Sequence, residues 1–427
     1  MSDRKMMKTM LSALICALVL GLGSLVSAQT WIELFPTGTP PDPIFAPKPA
    51  HYDAASNRLI VFFPGNPPFN PNPPGNGNEV WVLTNANGLG GAPAWIKLMP
   101  TGSPPISNGL ESSIYDAATN QLIVYGGCFA NCSPALFNVY TLSNANGLGG
   151  PPVWTQSAVT NPQARVGHSS VYDSVNNLLI TFAGQLAFFG TDQNDARILS
   201  NANGIASPST WTTLAVAGGP PPIRDEHTAI YDQANNRMTI FAGEQLITTC
   251  CPYVISDYND TWALSNANGL GGTPTWTQLL PAGAPPSVRK GHSAIYDPIN
   301  NRMIVFGGRV WNQTAQTDTA LGDLWQLSNA NGLGGVPAWS QLTQSGAPPG
   351  PRFYHTAAFD QANQRMIVLG GRDSTDTPSN RVWALVLNQS SVTVCHKPGT
   401  PAQKTLVIPQ QALAGHLRHG DTVGPCG

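Results

Sequence analysis

Past an apolar N-terminal segment, apolar residues come in short runs, many of them alternating with polar ones, and each run is closed by Asn, Asp, Gly or Pro. Runs this short have the period of strands rather than of helices, so the pattern predicts an all-β chain of hairpins. Residues 292–342 show one full round. His292-Ser293-Ala294-Ile295-Tyr296 leads through Asp297-Pro298 and Asn300-Asn301 into Met303-Ile304-Val305-Phe306, which ends at Gly307-Gly308. Asp323-Leu324-Trp325-Gln326-Leu327 follows, then an Asn-Gly turn, then Ala338-Trp339-Ser340-Gln341-Leu342. These are four strands joined by turns that favour left-handed backbone.

The round repeats. Asn85-Ala86-Asn87-Gly88-Leu89-Gly90-Gly91 recurs at 144–150, 266–272 and 329–335, with a degenerate copy from Asn201, and the Gly residues at 88, 147, 204, 269 and 332 are spaced by 59, 57, 65 and 63. An aromatic-Asp pair marks six units: Tyr52-Asp53, Tyr115-Asp116, Tyr172-Asp173, Tyr231-Asp232, Tyr296-Asp297 and Phe359-Asp360. One four-stranded sheet cannot bury both faces, whereas six packed radially can. The sixth unit reaches Val382-Trp383-Ala384-Leu385-Val386-Leu387 and then lacks a fourth Trp strand, while Trp31-Ile32-Glu33-Leu34 stands alone near the start and matches Trp276-Thr277-Gln278-Leu279. Residues 31–35 are therefore expected to complete the last sheet and close the ring.

The Leu/Met-Ile-Val-aromatic-Gly-Gly run followed by an Asp/Asn-x-Trp strand resembles the kelch repeat over about residues 30–390, clearest at Tyr125-Gly126-Gly127, Phe306-Gly307-Gly308 and Leu369-Gly370-Gly371. Phe182-Ala183-Gly184 and Phe241-Ala242-Gly243 depart from it by one Gly. The resemblance implies a β-propeller, here with six blades.

Composition agrees with short strands and tight turns, since Gly 43 and Pro 39 stand beside only 10% charged residues in a chain of 427. Coiled coils and helical bundles need far more Ala, Glu, Lys and Arg. Arg4, Lys5 and Lys8 precede an uncharged run from Leu11 to Val26 that ends Val26-Ser27-Ala28, which reads as an export signal over residues 1–28 cleaved before Gln29; an uncleaved anchor is the rival. Losing Asp3 and those three bases takes the net charge from -2 to -4. Nucleic acid is not expected as a partner of so acidic a surface, nor a membrane once the signal is gone. The expected mature protein is secreted or periplasmic, and monomeric.

Candidate chemistry lies where the units can be aligned. Four residues before each aromatic stand Lys48, Glu111, His168, His227, His292 and His355; three earlier stand Phe45, Asn108, Arg165, Arg224, Arg289 and Arg352. Four units thus carry Arg-x-x-His near one mouth of the expected channel. The four Arg could clamp a carboxylate or sulfate on a ligand, or each Arg and His could tie its loop to a neighbouring blade. The repeated Asn-Ala-Asn-Gly segment lacks the acidic ligands of a calcium loop and resembles the Asp-box of sialidase propellers only in position, so it reads as a hairpin turn. The Asp of each aromatic-Asp pair reads as a cap on the first hairpin turn.

No nucleophile elbow, phosphate loop or His-Glu-x-x-His helix is present, no cofactor is called for, and the Tyr, His and Cys constellation of galactose oxidase cannot be assembled. Two readings follow. The first is a non-catalytic module binding a protein or glycan at the channel mouth. The second is a carbohydrate-active enzyme, sialidase-like or sugar-epimerase-like, using the Arg arc with Glu111 or Glu226 as general acid or base.

Six Cys remain after the signal. Local pairing of Cys128 with Cys132 and of Cys250 with Cys251 is simplest, with other connectivities open. Residues 391–427 form a separate module, after a propeller over 29–390, and resemble a Cys/His tail found on assorted secreted bacterial proteins, matched in Cys395-His396-Lys397-Pro398-Gly399 and His416-Leu417-Arg418-His419-Gly420-Asp421. Cys395 and Cys426 bracket it, and a disulfide between them is expected rather than a zinc site, because an oxidising compartment removes thiolates. A helix over 409–418 would set His416 and His419 on one side.

Overall fold

The computed structural model describes residues 29–42, 50–64, 78–106, 109–128, 135–187, 190–205, 208–248, 254–387, 391–409 and 413–426. Within them lie six sheets built on four antiparallel strands each. Sheet 1 is Ala50–Asp53, Arg58–Phe63, Glu79–Thr84 and Ala94–Leu98; sheet 2 is Glu111–Asp116, Gln121–Gly126, Val139–Ser143 and Val153–Gln156. Sheet 3 is Ser169–Asp173, Leu178–Phe182, Ala196–Ser200 and Ser209–Thr213; sheet 4 is Thr228–Asp232, Arg237–Phe241, Thr261–Ser265 and Thr275–Leu279. Sheet 5 is Ser293–Asp297, Arg302–Asn312, Thr317–Ser328 and Ala338–Gln341.

Sheet 6 takes its first three strands from Phe353–Asp360, Arg365–Arg372 and Val382–Val386, and its fourth from Gln29–Leu34. The expected pairing is present: Thr30 lies opposite Val386 and Leu34 opposite Val382. The chain then leaves sheet 6 as it leaves the others. Thr37 bridges Ala94 in parallel, as Ala217 bridges Thr275 and Ala282 bridges Ala338, each connection reaching the fourth strand of the next sheet.

The core is divided among the sheet interfaces. Trp31, Trp154, Trp211, Trp276 and Trp339, from fourth strands, pack on Phe306, Phe62, Tyr125, Phe182 and Phe241 of the preceding sheet, with ring centroids 4.5–5.6 Å apart. Between sheets 6 and 1 the same role falls to Trp95, clustered with Leu369, Val382 and Ala384. Burying a large side chain contributes roughly 1.5–3 kcal/mol, so these contacts carry much of the stability.

Polar ties explain why the turn motifs repeat. The Asp after each aromatic does cap its own turn, as Asp53 does for Ala55 N–H at 3.2 Å. It also accepts across the interface. Asn146, Asn203, Asn268 and Asn331 donate Nδ2 to Asp53, Asp116, Asp173 and Asp232 of the preceding sheet at 2.6–3.0 Å, and Asn87 of sheet 1 donates to Asp360 of sheet 6 at 2.6 Å. Sheet 6 has no such turn, and Arg302 fills in by bonding both Asp297, at 2.8 Å, and Gln364, at 2.9 Å.

The second Gly of each Gly-Gly is where two backbones nearly touch. A Cβ on Gly243, at φ +98°, would lie 2.6 Å from the Asp225 carbonyl and 2.8 Å from His227 Cβ. Two units carry Ala at the first position, Ala183 and Ala242, with φ of 59° and 61°, whereas a Cβ on Gly126 or Gly307 would lie 2.5 or 2.6 Å from a backbone carbonyl. One expectation was too short. The second strand of sheet 5 does not stop at Gly307-Gly308 but bulges there and runs on, pairing to Asn312 opposite Thr317, so a long hairpin projects beyond the sheet.

After sheet 6, Ser391–His396, Lys404–Pro409 and Thr422–Val423 form a three-stranded sheet with a helix at Leu413–Arg418. Cys395 is bonded to Cys426. Among the described residues no helix is long and apolar enough to cross a membrane.

Candidate functional site

The Arg-x-x-His steps sit at the entry to the first strands, and the structure engages them within the scaffold. Arg165 donates to both carboxylate oxygens of Asp195 at 2.5 and 2.6 Å, Arg224 to those of Asp260 at 2.7 and 2.8 Å, and Arg289 to those of Asp323 at 2.8 and 2.8 Å. Each pair joins the entry of the first strand to the third strand of the same sheet, at its entry for Asp195 and Asp260 and within it for Asp323. In sheet 6 the Asp position is Arg381, and Arg352 instead lies over the Trp383 ring at 4.3 Å and donates to the Gly370 carbonyl at 2.7 Å. The four guanidinium groups are nearly inaccessible, and three are forked onto part-exposed Asp side chains, which leaves them few donors for a ligand; of the two readings of the arc, these contacts have the form of ties within the scaffold.

The histidines are likewise engaged between sheets. Nε2 of His168, His227, His292 and His355 meets the hydroxyl of Ser112, Ser169, Thr228 and Ser293 of the preceding sheet at 2.6–2.8 Å. Burial, with the adjacent Arg, drives His168 and His355 down to about 3 and His227 and His292 well below the usual value, so all four are neutral. Glu111 is buried at the position His holds elsewhere. Lys48, Cys132, Cys250 and Cys251 lie outside the described residues; Cys128 is disulfide-bonded.

Of the residues between each Arg and the His or Glu position, sequence reasoning named only Glu226. The residue before the His has left-handed backbone in five sheets: Leu110, Gly167, Glu226, Gly291 and Tyr354, with φ of 51–64°. Their backbones hydrogen-bond in series, Gly167 N–H to Leu110, Glu226 N–H to Gly167, Gly291 N–H to Glu226 and Tyr354 N–H to Gly291, at 2.8–3.2 Å. Glycine is the undemanding choice there. Holding Glu and Tyr instead costs on the order of 1 kcal/mol each or more.

Those two side chains meet across Gly291. The Tyr354 hydroxyl donates to Glu226, and Arg309, just past Gly307-Gly308, donates to the Tyr354 oxygen, to Glu226 at 3.1 Å and to Asp318 at 2.6 Å. The Arg309 guanidinium lies over the Tyr354 and Phe353 rings at 4.5 and 5.0 Å. Beside it the Lys290 ammonium bonds Glu244 and has Asp257 and Asp318 at 3.9 Å. The projecting hairpin borders the cluster with half-buried Trp311, whose backbone N–H donates to Asp257 at 2.7 Å.

The electrostatics separate the carboxyls. Burial alone would raise Glu226, but Arg309, Lys290 and the Tyr354 hydroxyl hold it below its usual value. Burial and the Glu226 charge push Glu244 up to about 7 against the pull of Lys290. Burial, then Glu244, raises Asp225 well above the aspartate range. An ionised acid beside carboxyls whose values burial raises is the arrangement general acid–base chemistry uses. The cluster holds Asp225, Glu226, Glu244, Asp257 and Asp318 against Lys290 and Arg309, so carboxyls outnumber bases. Arg309 and Glu226 remain 14% and 10% exposed, so the cluster reaches solvent at its edge.

Comparison with known proteins places this geometry. The KLHDC2/KLHL20/DRC7 kelch-repeats domain matches residues 152–327 and 270–407, more than half of the chain, and the chain belongs to the kelch-repeat family. Among relatives, multiple epidermal growth factor-like domains protein 8 of Mus musculus is 32% identical over 117 residues, and tip elongation aberrant protein 1 of Schizosaccharomyces pombe is 31% identical over 170 residues. These cover 27% and 38% of this chain but only 4% and 12% of those proteins. The solved structure of YjhT superposes with a TM-score of 0.53 at 13% identity, covering 82% of this chain and 96% of that one, which shows a shared β-propeller fold.

Proposed function

We propose that the six sheets are the blades of one closed propeller over residues 29–390, and that the protein is an exported, monomeric, non-catalytic binding protein taking its ligand at the mouth beside Glu226, Arg309 and Tyr354. Closure is supported by the N-terminal strand in sheet 6 and by the Asn87–Asp360 tie. Export is supported by the Cys395–Cys426 disulfide. The observation that carries the binding site is that Glu226 and Tyr354 occupy strained positions which sheets 3 and 5 give to Gly. A scaffold role does not need them.

The ligand is a neutral or amino-sugar glycan. Excess carboxyls favour hydroxyl and ammonium donors and disfavour acids, while half-buried Trp311 offers a face for a sugar ring beside the Tyr354 hydroxyl. Calorimetric titration of the chain from Gln29 with neutral, amino and acidic oligosaccharides tests this. Binding of neutral or amino sugars, weakened at least tenfold in Glu226→Gln, is expected; binding confined to acidic sugars would overturn it. A second reading, acid–base catalysis on such a glycan, is favoured by Glu244 titrating near 7 beside ionised Glu226. Turnover of synthetic glycosides that disappears in Glu226→Gln would establish it and displace the non-catalytic reading.

A further inference from the structure

The C-terminal module brings together three side chains that the propeller does not use. His396 ends the strand Ser391–His396 one residue after Cys395, His416 lies on the helix Leu413–Arg418, and Asp421 follows the turn into Thr422–Val423. Asp421 Oδ2 is met by Nδ1 of His396 at 2.9 Å and by Nδ1 of His416 at 2.5 Å. All three donor atoms lie within 4.8 Å of one another. His419, expected on the same helix side as His416, lies just beyond the helix, and the imidazole that meets His416 is His396 from across the sheet.

We propose that His396, His416 and Asp421 form a binding site for a divalent transition-metal ion of the zinc class, with at least one coordination position left for water or an added carboxylate. Two imidazole nitrogens and one carboxylate oxygen suit zinc and its neighbours, whereas calcium and magnesium take oxygen ligands. The cysteines are not ligands, because they are bonded to each other; that bond instead fixes the strand bearing His396 against the chain end. Ligand bonds of about 2.0–2.2 Å set neighbouring ligand atoms roughly 3–3.5 Å apart, so each imidazole must move slightly away from Asp421 and the more widely separated ligand atoms, within 4.8 Å, must draw together to admit an ion.

The surroundings are those of a prepared site. The Asp421 side chain is 1% exposed, and its second oxygen accepts the Lys397 N–H at 3.0 Å, which fixes the carboxylate. The His416 carbonyl accepts the Asp421 and His419 N–H groups at 3.1 and 3.0 Å, locking helix and turn together. The two imidazoles are 26% and 28% exposed, so an ion here has a side open to solvent. Without an ion, one carboxylate oxygen must accept two Nδ1–H donors. With an ion, both Nδ1 lone pairs face the metal and each proton moves to Nε2.

The test is titration of the chain from Gln29, disulfide intact and stripped with chelator, with zinc chloride by calorimetry and with cobalt(II) by visible absorption. One equivalent of zinc, with a cobalt spectrum of low-symmetry nitrogen and oxygen coordination, is expected. Binding should weaken at least tenfold in His396→Gln and in Asp421→Asn and stay unchanged in His419→Gln. Should Asp421→Asn misfold, His396→Gln decides, with its disulfide checked by mass spectrometry and its fold by circular dichroism. No stoichiometric zinc in the unsubstituted chain, or binding that survives the His396→Gln, His416→Gln double substitution, would leave the cluster a hydrogen-bonded clasp and overturn the proposal.

Discussion

Replacing Arg289 by Ala separates a structural tie from a ligand clamp. Arg289 is fully buried and makes two charge-assisted bonds to Asp323 at 2.8 Å, with further bonds to the Gly307 and Ser287 carbonyls at 2.9 and 3.1 Å. Removing one member of a buried pair costs about 3–5 kcal/mol, mostly from the partner left alone. Asp323 is 23% exposed and keeps the Trp325 indole N–H at 2.6 Å, so water can reach it and the lower end, about 3 kcal/mol, is expected. Arg352→Ala, which strands no carboxylate, should cost less, about 2 kcal/mol from lost stacking and carbonyl bonds. Urea unfolding followed by Trp fluorescence measures both, and a cycle with Asp323→Ala isolates the pair. Glycan affinity should change little in whatever fraction of Arg289→Ala stays folded. An unchanged unfolding midpoint together with abolished binding would refute the tie and restore Arg289 as a ligand group.

Other expectations follow from the same contacts. Trp31→Ala should cost about 3–5 kcal/mol, as much as Trp211→Ala in the equivalent strand of sheet 3; a silent Trp31→Ala would mean that the N-terminal strand adds nothing to closure. Gly243→Ala should destabilise by at least about 2 kcal/mol because backbone must move, whereas Ala242→Gly should stay within about 1 kcal/mol of the parent in the same urea series. Lowering pH should weaken the fold through its buried histidines, offset in part by Glu244 and Asp225, whose raised values make the folded chain bind protons there first. Burial depresses His51 to about 4, His168 and His355 to about 3, and His227 and His292 also, while unfolded imidazoles protonate near 6.5. The unfolded chain therefore binds the extra protons, and stability should fall as pH drops below 6.5, by about 1 kcal/mol per histidine per pH unit. A midpoint that is unchanged between pH 7 and pH 5 would contradict neutral, buried histidines. Asp323, held below its usual 3.8 by Arg289 although burial opposes it, adds loss only under still more acid conditions.

The strands and the repeat were legible because both are local: period-two runs, Asn-Gly turns and a Trp strand at one end matching a gap at the other. The Cys395–Cys426 pairing was legible because two cysteines bracket a short module. Pairings between distant residues were not. Asp195, Asp260 and Asp323 follow their arginines by 30, 36 and 34 residues, and no local signal links them. Gly307-Gly308 reads as a stop, yet both glycines tolerate the positive φ of a bulge and the hairpin continues to Arg309 and Trp311. Glu226 was singled out as a carboxylate, but its partners Tyr354, Arg309 and Lys290 were not, because alignment of the units drew attention to what repeats. Arg165, Arg224, Arg289 and Arg352 repeat because every sheet needs anchoring. Glu226 and Tyr354, lying between the repeated residues at a position that two other sheets give to Gly, are where this chain departs from its own pattern.

The central claim is that this departure is a ligand site. A crystal structure of the chain from Gln29 soaked with the tightest-binding neutral or amino-sugar oligosaccharide tests it most directly. The account predicts sugar density against Tyr354, Trp311 and the Glu226–Arg309 pair, with Arg165, Arg224, Arg289 and Arg352 still in their scaffold contacts. Sugar found on the outer edges of the sheets, or held by those four arginines away from Glu226, would contradict it.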